Sequence, residues 1–264
     1  MNSFIIDIEG EIMQKYRILS FNLRVNVASD GKHAWGFRKE QAINFIKQGK
    51  FDIIGFQEVT PDMYQELREA LHGYDHFGIG RDINQEAIPI FFKKDKYRVI
   101  EKKTMWLSDT PTVESKIEGS FFPRIVTYVV LEDEKNQRIS YFNTHLDYAS
   151  DEVCKKQSII LSQIIDKITD LYQAEFILSG DFNVYPDTET IKFLANKYQN
   201  IYKQVDRIGL TFHNFSLDTL GLPIDYFFFS KKLKDESFQI VHHEENDFFL
   251  SDHYPLIAEF SIKK

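Results

Sequence analysis

A mixed-sheet α/β or α+β domain is the fold class this sequence predicts, and three observations point to it. Short runs rich in β-branched and aromatic residues alternate with stretches at helical spacing. Neighbouring runs, such as those within Arg124–Asn143, look like antiparallel hairpins, which argues against a doubly wound parallel fold. Aromatic residues form 15% of the 264-residue chain, mostly 24 Phe and 13 Tyr, a composition suited to filling pleated surfaces.

The elements follow in order. Arg17–Asn22 (RILSFN) is the first strand, and Trp35–Gln48 carries a helical pattern with Ile43 and Ile46 on one face. Phe51–Glu58 (FDIIGFQE) is the second strand. The segment TPDMYQELREAL then opens a helix with Thr60 as N-cap and Pro61 at the first helical position, where a missing N–H breaks no bond. Ala87–Phe92, Arg124–Leu131 and Arg138–Asn143 read as strands. Val153, Ile160, Leu161, Ile164, Ile168 and Leu171 recur at helical spacing between Asp151 and Tyr172. Glu175–Gly180, a helix after Pro186 in TETIKFLANKY, Ile224–Ser230 and Leu256–Ile262 complete the set. No linker or repeat interrupts them, so 15–264 reads as one domain. Met13, preceding QKYRILSFN, offers an alternative start and makes 1–14 an N-terminal extension.

Thirty-two Lys and Arg against forty Asp and Glu give a net charge of −8, which argues against an extended basic surface for duplex nucleic acid. Cys154 is the only cysteine, so no intramolecular disulfide forms, and on its helix it reads as a small apolar residue. The N-terminus lacks the pattern of a secretory signal, and no apolar run approaches the roughly 18 residues of a membrane span. The expectation is a cytoplasmic monomer.

The strand ends carry the chemistry. Asn22 closes the first strand and Glu58 the second; His145 and Asp147 follow ISYFN. In ILSGDFNVYPD a run of β-formers delivers Asp181 and Asn183, which share one side if the strand continues past Gly180; the competing reading is a plain turn. Asp225 opens IDYFFFS, and Asp252 and His253 precede the last strand. Burying such groups together is costly unless they pair or bind a cation, and the set suits a hard divalent ion with acids and imidazoles around a phosphate.

In order and content, LSFN, IGFQEV, FNTHLD, SGDFN, IDYFFFS and SDHYP resemble the endonuclease/exonuclease/phosphatase superfamily, which includes exonuclease III, deoxyribonuclease I, neutral sphingomyelinases and inositol polyphosphate 5-phosphatases. The segments GRDINQEAIPIFFKKDKY, TMWLSDTP and FFPRIVTYV resemble its uncharacterised bacterial branch. The resemblance runs from about Tyr16 to the C-terminus and implies a four-layer sandwich, two packed mixed sheets flanked by helices.

It also implies roles. Glu58 and Asp252 would be metal ligands with Asn22 close by, holding Mg²⁺ or in its place Mn²⁺. Asp181 would hold or deprotonate the attacking water, with Asn183 steadying it. His253 would contact phosphate, oriented by Asp225, and His145 would stabilise the transition state, paired with Glu86. Asp147 would support the site from outside it. Arg124 and Arg81 are candidates to clamp phosphate, and His213 in TFHNF sits where relatives line the substrate cleft. Arg38, Trp35 and Trp106 read as structural. The implied activity is Mg²⁺-dependent phosphodiester or related phosphoester hydrolysis by direct in-line attack of water. The acidic balance favours a small or lipid-like phosphate ester as substrate. A Mg²⁺-dependent nuclease acting on DNA or RNA and an inactive binding protein of the same fold are the alternatives, the last disfavoured because no motif position is substituted.

Overall fold

Two six-stranded sheets form the centre of the molecule, each built around a single parallel pair. The computed structural model describes residues 14–242 and 248–263, so residues 1–13 of the proposed extension, Met13 among them, lie outside the described residues. In the first sheet β1 (Lys15–Asn22) runs parallel to β2 (Ile53–Gln57), joined by α1 (Trp35–Gly49). In the second, β7 (Arg138–His145) runs parallel to β8 (Glu175–Asp181), joined by α3 (Asp151–Tyr172). A parallel pair needs a long crossover, and a helix supplies it in both cases.

Every other pairing is antiparallel. β12 (Leu256–Ile262) lies beside β1, and β11 (Leu233–Ile240) beyond it. On the other side β2 pairs with β4 (Ile90–Lys93) and β4 with β3 (Tyr74–Phe77). The second sheet is extended by β6 (Ile125–Glu132) and β5 (Arg98–Trp106) next to β7, and by β10 (Asp225–Phe229) and the two-residue β9 (Gln199–Asn200) next to β8. The hairpin expected within Arg124–Asn143 is the β6–β7 pair.

The strands alternate their faces as the pleat requires. Leu19 and Phe21 turn outward to pack with Trp35, Ile46, Met63 and Leu67 of α1 and α2 (Pro61–Ala70). Tyr16 and Ile18 turn inward to the larger core, which joins the two sheets and extends to α3 and α4 (Glu189–Lys197) on the far side. Helices therefore cover both outer faces, giving the layered sandwich. The sheets come close at Gly55, where a Cβ would stand 2.5 Å from the Tyr141 hydroxyl.

β3, β5, β9 and β11 are absent from the pattern read in the sequence, and they are the four sheet edges. An edge strand has one neighbour and partial solvent contact, so its residues do not form the apolar run of a central strand. β5 reads RVIEKKTMW and β11 LKDESFQI, with mixed exposure along both. Thr60 does occupy the N-cap of α2, but its hydroxyl contacts Asp62 Oδ1 instead of a backbone N–H. The α3 cap falls to Ser150, whose hydroxyl accepts the Val153 N–H.

Candidate active site

Along each central strand the inward face changes from apolar to polar to ionisable. On β1 it reads Tyr16, Ile18, Ser20, Asn22; on β7 Ile139, Tyr141, Asn143, His145; on β8 Ile177, Ser179, Asp181. The two-residue period keeps each series facing the opposite sheet. Between core and site lies a hydrogen-bonded seam. Gln57 Nε2 donates to Asn143 Oδ1 at 2.7 Å, Asn143 Nδ2 donates to the Phe56 carbonyl, and Tyr141 and Ser179 share a hydroxyl bond of 2.5 Å. The seam pairs its buried polar groups, Gln57 Oε1 excepted, and fixes how the two sheets meet.

The topology explains why distant motifs converge. The parallel strands β1, β2, β7 and β8 all end at this edge of the sandwich. β12 and β10 run antiparallel to β1 and β8, so their beginnings arrive there too, bringing Asp252 and His253 just before β12 and Asp225 at the start of β10. Register places both His145 and Asp225 opposite Asp181. Gly180 is needed for this: its φ is +150°, and a Cβ there would lie 2.0 Å from the Thr144 carbonyl oxygen on β7.

Asn22 and Asp181 form the centre of the cluster. Asn22 Nδ2 lies 3.0 Å from Asp181 Oδ2, 3.1 Å from Glu58 Oε1 and 3.4 Å from His253 Nε2. Its Oδ1 accepts the Arg24 N–H, so in this arrangement Asn22 offers the carboxylates its NH₂ group. Glu58 has stepped out of β2 into the left-handed region, φ +59°, and its Oε2 accepts the Val25 N–H at 3.0 Å. Such backbone strain is characteristic of functional positions. His145 Nε2 and His253 Nε2 each lie 3.6 Å from Asp181 Oδ2, and His253 Nδ1 is bonded to Asp225 Oδ2 at 2.9 Å.

β8 stops at Asp181, so the expected strand continuation to Asn183 does not occur. The chain turns at Asn183, φ +54°, whose N–H donates to Asp181 Oδ1 while its Nδ2 donates to the Leu146 carbonyl. The turn and the site are one structure, because the turn's own bond orients the carboxylate.

Burial sets the charges. Burial, and then the Asp225 carboxylate, raise the Asp181 pKa to about 7. Burial also raises Asp252 above the usual carboxylate range. For His253 burial favours the neutral ring, but the Asp225 charge and hydrogen bond override it and push the pKa up to about 10. His145 goes the other way: burial, then Arg124 and Arg81, hold it well below the ordinary histidine value. The two imidazoles on either side of Asp181 therefore differ in charge at neutral pH.

Among the described residues two compact groups could hold a cation, with ligand atoms within 4.8 Å of one another: Glu58, His145 and Asp181, and Asp181, Asp225 and His253. The carboxylate oxygens of Glu58 and Asp181 are the donor type a hard divalent ion takes. Asp252 belongs to neither group; its Oδ2 lies 3.7 Å from Arg24 Nε, and its Oδ1 accepts the Ser251 hydroxyl.

Other expectations need correction. Glu86 pairs with Arg81 Nη2 at 2.9 Å, and His145 Nδ1 has no hydrogen-bond partner, so the Glu86–His145 pair is not formed. His213 is 4% exposed and stacks on Tyr254 with ring centroids 4.1 Å apart; its N–H holds the Asp252 carbonyl, and the residue turned out beside His253 is Phe212, 4.9 Å away. Arg38 is structural, as expected, donating to the carbonyls of His33, Leu250 and Arg24. Trp35 lies in the core, and Trp106 Nε1 donates to the Arg81 carbonyl. Asp147 braces the site, accepting from Ser120, from the Phe122 N–H and from Arg124 Nε. Cys154 is buried on α3, and burial pushes its thiol up to about 12. Two contributors were not legible as such: Arg24, held by Asp30 at 3.0 Å, and Phe122, whose ring lies under both Arg81 and Arg124. The only hints were their neighbours, the LSFN and FFPR segments.

Comparison with known proteins is consistent with this architecture. Residues 19–253 match the Endonuclease/Exonuclease/phosphatase family. A Bacteroides vulgatus endonuclease/exonuclease/phosphatase superposes with a TM-score of 0.86 at 29% identity, covering 95% of this chain and 100% of that one. A mannosyl-6-phosphatase from Bacteroides thetaiotaomicron gives 0.85 at 26% identity, covering 93% and 99%. The Ccr4 3′-5′-exoribonuclease subunit of the CCR4-Not complex from Mycosarcoma maydis is 23% identical over 313 residues, covering 88% of this chain. The chain spans about half the length of such curated relatives, 47% in that case.

Proposed function

Because the chain belongs to the endonuclease/exonuclease/phosphatase family, we propose that it hydrolyses a small or lipid-like phosphate ester, with Mg²⁺ bound, by direct attack of water on phosphorus. The observation that carries this reading is the buried Asp181, whose Oδ2 lies 3.0 Å from Asn22 Nδ2 and 3.6 Å from both His145 Nε2 and His253 Nε2, with a pKa raised by burial. A group whose pKa lies near the working pH is suited to accept a proton in the transition state.

Glu58 would hold the metal ion, with Asn22 positioning it through its amide; Asp252, which the resemblance sets beside it, lies outside both compact ligand groups and against Arg24. When bound, the ion supplies Lewis-acid stabilisation of negative charge on the phosphate. Asp181 orients the attacking water and takes its proton; the Asn183 N–H on Oδ1 fixes the carboxylate plane while Oδ2 faces the reaction. His253, kept cationic by Asp225, donates from Nε2 to a phosphate oxygen, and His145 stabilises charge that develops as the new P–O bond forms. Arg124 and Arg81 bind the phosphate from the side of Phe122.

The Ccr4 relatives favour nuclease activity as the second reading, while the net charge of −8 weighs against a long nucleic-acid footprint. A screen of the purified protein against phosphodiesters, phosphomonoesters, phospholipids and single- and double-stranded nucleic acids separates the two. Activity is expected to vanish in excess chelator and return with Mg²⁺ or Mn²⁺; full activity in chelator overturns the metal-dependent reading. Glu58→Gln should raise the Mg²⁺ concentration needed for half-maximal rate, and an unchanged requirement removes Glu58 from the ligand set.

A further inference from the structure

We propose that residues 214–221, in the loop between β9 and β10, form a lid that closes across Asp181 when a phosphate group occupies the site; this rests on the hydrolase reading above and adds a conformational step to it. The first observation is backbone strain. Asn214 and Phe215 are consecutive and both left-handed, φ +49° and +57°. Asparagine tolerates that region, but a bulky residue there is an outlier, and such strain persists only where the surroundings impose it. Here the His213 and Asn214 N–H groups both donate to the Asp252 carbonyl, and the Phe215 ring stacks on His33 with centroids 4.6 Å apart. The bend is thereby tied to the backbone immediately before His253.

The loop is pinned at its ends and open in its middle. Thr211 Oγ1 accepts the Ile224 and Asp225 N–H groups, and the Thr211 carbonyl accepts the Tyr254 N–H. Gly221 closes on Leu210, where a Cβ would stand 2.6 Å from Cδ1. Between Leu217 and Leu222, among the described residues, one hydrogen bond leaves the loop, from the Tyr254 hydroxyl to the Asp218 carbonyl. A segment held by so few bonds costs little to move locally.

Apolar exposure says what the loop closes on. Leu220 is 91% exposed and Leu217 more than half. Phe121 and Tyr148 are also more than half exposed, with ring centroids 5.1 Å apart. Strand order puts these two rims on opposite sides of Asp181. The second sheet runs β6, β7, β8, β10, so the loop leading into β10 lies on the Asp225 side of β8, whereas the loops entering β6 and leaving β7 carry Phe121 and Tyr148 on the His145 side. Single exposed apolar side chains are ordinary, but two apolar rims bordering one polar cluster are surfaces that a closing loop would join. Closure buries them and removes water from around Asp181. Phosphate then binds the closed arrangement more tightly, because its charge meets His253 in a drier site, and that difference in affinity is what shifts the loop.

Limited proteolysis tests the lid without recourse to turnover. Chymotrypsin cleavage after Leu217 and Leu220 is followed by mass spectrometry, with and without Mg²⁺ and orthovanadate, an analogue of phosphate. Vanadate at about ten times its dissociation constant should raise the melting temperature and slow these cleavages about tenfold. Trypsin cleavage after Lys94, in the turn between β4 and β5 at the other end of the sandwich, should keep its rate. Leu220→Ser, at a position already exposed, should leave the melting temperature of the free protein unchanged. It should nevertheless raise the vanadate concentration for half-protection about tenfold, the scale for losing the burial of one leucine. A raised melting temperature with the loop still cut at its original rate overturns the inference alone, as does a Leu220→Ser variant protected like the unmodified protein. Vanadate that changes neither the melting temperature nor the cleavage refutes the hydrolase reading and overturns this inference with it.

Discussion

At the scale of single residues, environment assigns the roles, because side chains of one type behave differently a few ångströms apart. His145 and His253 both stand 3.6 Å from the Asp181 carboxylate, but only His253 has an acidic partner on its second nitrogen. Asp181→Asn preserves size and removes the oxygen charge that orients and deprotonates water. We expect kcat to fall by about 10²- to 10⁴-fold, the usual contribution of general-base catalysis. The purely structural role predicts the reverse, since an Asp that only braces the Asn183 turn would lower the melting temperature and leave turnover near normal. Steady-state kinetics and a melting curve on the same preparation separate the two. Asp225→Asn tests the imidazole pairing: it removes the charge that keeps His253 protonated, so the pH at which His253 titrates, followed by NMR, should drop. An unmoved titration would separate Asp225 from His253.

At the scale of elements, the site depends on how closely β7 and β8 approach. Gly180 adopts φ +150° against the Thr144 carbonyl, and a methyl group there meets backbone, which has no rotamer with which to yield. Gly180→Ala is expected to cost roughly 2 kcal/mol or more from strain and overpacking. At about 2–4 °C per kcal/mol for a chain of this size, the melting temperature should fall by several degrees. Activity should fall with it, because the displaced segment carries His145 and Asp181 in register. A variant that melts with the unmodified protein would show that the strand pair accommodates the methyl group.

At the scale of the whole molecule, the parallel pair in each sheet sends four strand ends to one edge, and the antiparallel neighbours bring two strand beginnings to meet them. The cluster sits in a molecule of net charge −8, so long-range attraction contributes little to capture of a polyanion. On its preferred substrate kcat/KM should change only modestly between low and physiological salt, in contrast to a duplex-binding nuclease, whose affinity falls steeply as counterions compete. High activity on duplex DNA at low salt that collapses at physiological salt would move the assignment to the nuclease reading.

Strong local signals were legible without the fold. The central strands are buried on both faces and therefore read as apolar runs; α3 carries the periodicity of a helix with one buried side, and its predicted span, Asp151–Tyr172, is the observed one. Asn22, Glu58, His145, Asp181, Asp225 and His253 stood out because polar groups at the ends of apolar strands need a reason. The edge strands β3, β5, β9 and β11 were not legible, since one neighbour and partial exposure leave no strict pattern. Nor does order along the chain reveal partnership: Glu86 was matched to His145 on motif alone, and only the loop between β3 and β4 brings it to Arg81 instead. Sequence thus determined which residue types end the central strands, because burial and pleat act locally. The tertiary structure decided which of them face one another and which imidazole is charged, because those depend on contacts between residues far apart in the chain.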